Sequence, residues 1–224
     1  MTPRSRSVGV TASSASGAGV RTGRPPLTER RKDATRLEIA REAVRLFTER
    51  GVQATSGEDI ARAAGISPRT LWRYFSAKEQ CVRPLLTREL TRVAQRLVEL
   101  PAGRPLAAVV EDDGAERYDD EDAEGASAVR ALIRLTREEP SILAVWLQVH
   151  HEAEAVFAGV LAERLGLPAD SLDVRVRASM INGALRSASE DWALAEISEA
   201  DAVSPAHRDT VRRAMRIVTD GLDC

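Results

Sequence analysis

At 224 residues the chain is long enough for one or two domains, and its thirty-two basic against thirty-four acidic residues leave a net charge of −2. Two widely separated cysteines, Cys81 and Cys224, exclude a disulfide framework and a zinc ribbon, and no apolar run approaches the roughly eighteen residues of a membrane span, so a cytoplasmic protein that touches no membrane is expected. The near-neutral total hides a polarity, because residues 1–80 hold fifteen basic and eight acidic side chains and residues 81–224 hold seventeen and twenty-six, as in a polyanion-binding module joined to something else.

Residues 1–32 are Ser, Gly, Ala, Pro and Arg with almost no large apolar side chain, and the first twenty lack the continuous apolar stretch of a secretory leader. They read as a flexible basic arm. From Asp33, the spacing of Ile39, Ala43, Leu46 and Phe47 predicts a helix that stops at Gly51. Thr55-Ser56-Gly57-Glu58 has the form of a capping box and opens a short helix that carries Ile60, Ala61 and Ala64 and ends at Gly65. Ser67 caps the next helix and Pro68 suits its first turn, giving Ser67 to Tyr74. Ser76-Ala77-Lys78-Glu79 is a further capping box, opening a long helix with the stripe Leu86, Leu90, Val93, Leu97 and Leu100. Pro84 inside it has no N–H for the carbonyl of Gln80, so a kink or break is predicted near 80–84, a natural pivot.

The stretch 102–125 reads as a mobile acidic loop, with nine acidic residues between Glu111 and Gly125 and only Arg117 opposing them. Helical periodicity returns at Ala126 and runs to Pro140, and again from Ser141 to Leu165 before Gly166 and Pro168. Asp170 caps a long helix with two apolar seams, one of Val174, Ala178, Ile181, Leu185, Ala188 and Trp192, the other of Leu172, Val176 and Met180, which implies two packing partners. Ser204-Pro205 opens a last helix with Val211, Met215, Val218 and Leu222. No strand signal competes, so the fold class is all-α.

Function is carried by Thr55 to Lys78, two short helices joined by a Gly-containing turn, which is a helix-turn-helix whose second helix enters a DNA major groove. That helix presents Ser67, Pro68, Arg69, Thr70, Trp72, Arg73 and Tyr74 around one large aliphatic residue, Leu71. Arg69 and Arg73 are the leading base readers, since a guanidinium bonds bidentately to guanine. Thr55 and Lys78 sit at helix N-termini suited to phosphate clamping. Arg21 and Arg24 of the arm are placed to enter an A·T-rich minor groove.

The string Phe47-Thr48-Glu49-Arg50-Gly51, then Ala54-Thr55, Asp59-Ile60-Ala61, Ala64-Gly65-Ile66-Ser67, Thr70-Leu71-Trp72-Arg73-Tyr74-Phe75 and Lys78-Glu79, resembles the N-terminal domain of the TetR family of one-component transcriptional regulators. Two positions depart from the family pattern: Gly57 stands where an apolar residue is usual early in the second helix, and Trp72 replaces the usual Tyr or Phe. The resemblance implies a helix-turn-helix domain at 33–76 and an effector-binding, dimerising domain at 77–224. It further implies a homodimer that reads a palindromic operator as a repressor and is released by a small-molecule effector. The dimer seam is expected at Val174, Ala178, Ile181, Leu185, Val211, Met215 and Val218, and the effector pocket among Trp146, His150, Phe157, Met180 and Trp192.

Two other classes stay open at this point. One is a ligand-independent activator or architectural DNA-binding factor. The other is a helical-bundle enzyme, which lacks a Gly-rich phosphate loop or a nucleophile beside a base, and whose histidines, His150, His151 and His207, lack metal-ligand spacing. No cofactor, no metal and no catalytic residue is therefore expected.

Overall fold

The structure, a computed structural model, describes residues 27–101, 103–104, 108–109, 120–195 and 206–219. The arm arginines Arg21 and Arg24, and the acidic stretch up to residue 119 apart from 103–104 and 108–109, lie outside the described residues. Every long element among those described is a helix: α1 Leu27–Arg50, α2 Gly57–Ala63, α3 Pro68–Tyr74, α4 Arg83–Glu99, α5 Asp120–Leu135, α6 Pro140–Leu165, α7 Leu172–Leu194 and α8 Ala206–Thr219. A 3₁₀ turn, Glu79–Val82, precedes α4.

Helix α1 starts ahead of Asp33 and takes in residues 27–32, helped by i,i+3 pairs Glu29–Lys32 and Asp33–Arg36, each at 2.8 Å. Helix α5 likewise starts at Asp120 rather than Ala126, in keeping with the preference of acidic residue types for a helix's N-terminal turns. The expected break near Pro84 falls at the Val82–Arg83 junction. No long helix begins at Ala77, and no capping bond is made by the side chain of Lys78; instead the 3₁₀ turn hands over to α4, whose first turn holds Pro84 where a missing N–H costs nothing.

Two apolar cores stack along the molecule. One gathers Ile39, Phe47, Ile60 and Leu71 from α1–α3 and continues without a gap into Leu86, Leu132, Ile142 and Trp146 of α4–α6. The other joins Leu97, Phe157, Leu161, Val174, Ile181 and Met215 from α4 and α6–α8. Arginines tie the helix ends together. Arg164 donates to the carbonyls of Leu100, Pro101 and Arg104 beyond α4, and Arg130 and Arg134 to those of Ala193 and Ala195 at the end of α7, where a cation also complements the helix dipole.

The expected dimer seam needs correcting. Val174, Ala178, Ile181, Leu185, Val211 and Met215 are buried within one protomer, because α7 lays that face on α6 and α8. The outward face of α7 is the second seam. Leu172 is 74% exposed and Val176 47%, and they flank an open groove that also takes Met180, Val218 and Thr219.

Candidate nucleic-acid interface

The recognition element is built from its caps inward. Two overlapping capping-box patterns exist here, Thr55 with Glu58 and Ser56 with Asp59, and the chain forms the second: the Asp59 N–H donates to Ser56 Oγ at 3.1 Å and the Ser56 N–H to Asp59 Oδ2 at 3.1 Å. The Ser56 hydroxyl also donates to that carboxylate at 2.6 Å, and with Arg62 at 2.9 Å these bonds lower the Asp59 carboxyl to about 2. At the other end of α2, Gly65 adopts φ 65, and the Ile66 N–H reaches the Ala61 carbonyl at 2.9 Å while the Gly65 N–H reaches that of Arg62 at 3.2 Å. This is a Schellman turn, and only glycine enters its left-handed position without a Cβ penalty.

That turn delivers Ser67, whose Oγ accepts from the Thr70 N–H at 3.2 Å and caps α3, with Pro68 at the first helical position. Leu71 is fully buried and fixes the helix to the core, leaving Pro68, Arg69, Trp72 and Arg73 exposed and Thr70 and Tyr74 half-buried. Arg69 and Arg73 are not equivalent. The Arg73 guanidinium lies over the Tyr74 ring at 5.3 Å, with Arg36 of α1 over the same ring at 5.5 Å, whereas Arg69 makes no such contact among the described residues.

Two expected phosphate clamps are corrected. Thr55 is 1% exposed, and its hydroxyl donates inward to the Gly51 carbonyl at 2.9 Å, so its side chain has no path to a phosphate. Lys78 turns its ammonium into the fold, donating to the carbonyls of Val52 at 2.7 Å and Thr55 at 3.0 Å, and so pins the α1–α2 loop to the segment that follows α3.

The two departures from the sequence pattern meet in space. Gly57, buried in the first turn of α2, faces the indole of Trp72 so closely that a Cβ on residue 57 would lie 2.1 Å from Cζ2 and 2.4 Å from Cη2. Trp72 nevertheless keeps 43% of its surface exposed.

The expected pocket residues do not converge on one cavity. Trp146 and His150 touch, ring centroids 4.2 Å apart and nearly edge-on, and Trp192 lies in the same core, but Phe157 belongs to the other core and Met180 to the α7–α8 surface groove. His150 Nδ1 pairs with Asn182 Oδ1 at 2.7 Å, and Asn182 Nδ2 donates to Glu154 at 3.1 Å, a chain that leaves Nδ1 as the donor and Nε2 buried without a partner. Burial pushes the imidazole below its ordinary value, against the opposing effect of the Asn182 hydrogen bond. Phe157 lines a small cleft of about 110 Å³ between α4 and α6 with Leu90, Val149, Ala153 and Val156, at whose rim Arg83 of α4 pairs with Glu152 of α6 and holds that carboxyl below its ordinary value. A larger open groove of about 660 Å³ runs between α1 and α4 beside Tyr74. Among the described residues no cluster of three metal-ligating side chains occurs, and no helix is long and apolar enough to cross a membrane. Cys81 is buried and its thiol is raised to about 12 by desolvation.

Residues 39–85 match the model of bacterial regulatory proteins of the tetR family, and residues 106–223 match that of the MftR C-terminal domain. The chain is 31% identical to the HTH-type transcriptional regulator TcmR of Streptomyces glaucescens over 192 residues, covering 81% of this chain and 83% of TcmR. A shorter stretch of 55 residues, 25% of this chain and 27% of the relative, is 44% identical to the HTH-type transcriptional repressor KstR2 of Rhodococcus jostii. Among solved structures, Salmonella enterica GusR superposes with a TM-score of 0.51 at 20% identity, covering 84% of this chain and 96% of GusR. With both halves matched by family models and a relative 31% identical over 81% of the chain, the chain belongs to the TetR family of DNA-binding transcriptional regulators.

Proposed function

We propose that the protein is a ligand-released repressor that binds a palindromic operator as a homodimer, through a DNA-binding unit at 33–76 and a regulatory unit at 77–224. The observation that carries the DNA side is the exposed row Arg69, Trp72 and Arg73 on a helix locked by Leu71 and the Ser67 cap, an arrangement with polar and aromatic groups facing outward. Dimerisation is assigned to the outward seam of α7, Leu172, Val176 and Met180, with Val218 of α8, rather than to the buried seam. Effector action is assigned to the α4–α6 cleft beneath Phe157, because a molecule entering it loads the Arg83–Glu152 tie at the first turn of α4. Displacement of α4 there changes the separation of two recognition helices that must fit major grooves about 34 Å apart.

The test is selection of DNA fragments by the purified protein, followed by footprinting and sedimentation of the complex. A two-fold symmetric footprint holding two protomers, released when a compound that binds the DNA-free protein is added, is the expected result. An asymmetric footprint from a single protomer rejects the dimer, and a compound that binds without releasing DNA rejects the release.

A further inference from the structure

A helix that opens on glycine gives up helix propensity, and a tryptophan left nearly half exposed on a surface is an expensive way to solubilise a protein. In this chain the two occur together and touch. The first residue of α2 has no side chain, and the benzo ring of Trp72 occupies the space where one would stand, with Cζ2 and Cη2 at distances no Cβ tolerates. The notch is therefore specific to the larger ring: a side chain on residue 57 and an indole on residue 72 in this pose exclude each other.

We propose that Trp72 is a specificity-determining residue that meets the apolar surface of DNA, a thymine methyl or a deoxyribose, and that Gly57 is the positioning residue that holds its indole in the pose to do so. The argument is geometric. One part of the ring is clamped against the backbone of α2, itself held by the Ser56–Asp59 box. The rest stands exposed on α3, where Arg69, one turn earlier, and Arg73, the next residue, are exposed as well. A flat apolar surface on a helix that also exposes cationic side chains matches a DNA groove, where thymine offers a methyl and the flanking backbone offers phosphates. Because the ring is clamped before DNA arrives, ordering it on binding costs little, which favours a fixed contact over an adaptable one. The inference rests on α3 being the DNA-facing helix; a protein that binds no DNA in any form fails that reading before this one is reached.

The test is a cycle of Gly57→Ala and Trp72→Phe, each alone and together, measured on a selected operator fragment and on random DNA. Gly57→Ala should weaken operator binding about tenfold while changing random-DNA binding little, and in the Trp72→Phe background, which lacks the benzo ring, the same change should cost less than about twofold. Acrylamide quenching supplies the structural readout, since Trp146 and Trp192 are 4% and 2% exposed and leave Trp72 as the quenchable residue. Gly57→Ala should increase quenching at an unchanged melting temperature. Replacing operator thymines by deoxyuridine removes only the methyl: a loss seen with the parent and absent in Trp72→Ala assigns the contact to the methyl, and equal binding of both operators by a parent that still depends on Trp72 assigns it to the sugar. Equal cost of Gly57→Ala in both backgrounds, or a displaced indole with undiminished operator affinity, overturns the proposal. Trp72→Ala, at an exposed position that leaves the fold intact, decides the matter should Gly57→Ala not fold: operator affinity equal to the parent's rejects a role for the ring.

Discussion

The helices at the DNA end are specified at their ends, and those at the regulatory end by their faces. In α2 and α3 each boundary is a local chemical event: Ser56 with Asp59, Gly65 with its left-handed turn, Ser67 with Pro68. Helices α6 and α7 are longer and apolar on more than one side, with Ile142, Trp146 and Phe157 inward on α6 and Leu143, Leu147 and Val156 outward. Local bonds of about 1 kcal/mol position the first set, whereas the second is positioned by whichever apolar face finds a partner. A change of face therefore has large consequences at the regulatory end and a change of cap has small ones at the DNA end.

The largest effect expected from that contrast separates the two seams of α7. Ile181→Asp places a carboxylate in the core shared with Phe157 and Met215 and should cost about 3 to 5 kcal/mol, a large part of the stability of a domain this size. Val176→Asp, on the outward face, should leave the protomer's melting temperature nearly unchanged and yield monomers by sedimentation. A well-folded monomer from Ile181→Asp would return the interface to the inner seam.

Lys78 tests the DNA end. Its two charge-assisted bonds to the Val52 and Thr55 carbonyls make it a staple, so Lys78→Met should lower stability by about 2 kcal/mol in urea titrations while the folded fraction binds DNA as before. A uniform loss of DNA affinity at an unchanged urea midpoint would make it a phosphate contact instead.

Arg69 and Arg73 divide more finely. With no ring contact among the described residues, Arg69 should cost about 1 to 3 kcal/mol on the operator when changed to Ala and relax preference at one base pair. Arg73→Ala should cost less, because its guanidinium already rests on Tyr74. Equal losses on operator and random DNA would place both on phosphates.

What could be read from the chain follows the same divide. The helix-turn-helix was legible because Gly65, Ser67, Pro68 and Leu71 each have one local role. Thr55 was not, since Thr55 with Glu58 and Ser56 with Asp59 both fit the capping pattern and only burial of the Thr55 hydroxyl against Gly51 selects between them. The inner and outer seams of α7 were both visible as periodicity, but periodicity carries no information about which partner is within the protomer. The Gly57–Trp72 contact showed itself only as two unexplained departures, because the close approach of residues fifteen positions apart depends on the angle between α2 and α3.

The smallest effect concerns acid. Asp59 is held at about 2 by the Ser56 hydroxyl and N–H, against an ordinary 3.8, so its ionised form is favoured in the folded state. For a carboxyl with a depressed folded value, the stabilising contribution is complete above the unfolded value and disappears as the pH falls through the folded one. The window is therefore from about pH 4 down to about pH 2, and near neutrality the contribution of this group is complete and does not change with pH. Asp59→Asn keeps an acceptor for the Ser56 N–H but removes the charge at the helix N-terminus. Its melting temperature should lie slightly below the parent's at pH 7, and the two should converge as the pH approaches 2. A gap that persists unchanged at pH 2 would mean that Asp59 acts through shape alone, and that the box under α3 is held by hydrogen bonds with no contribution from charge.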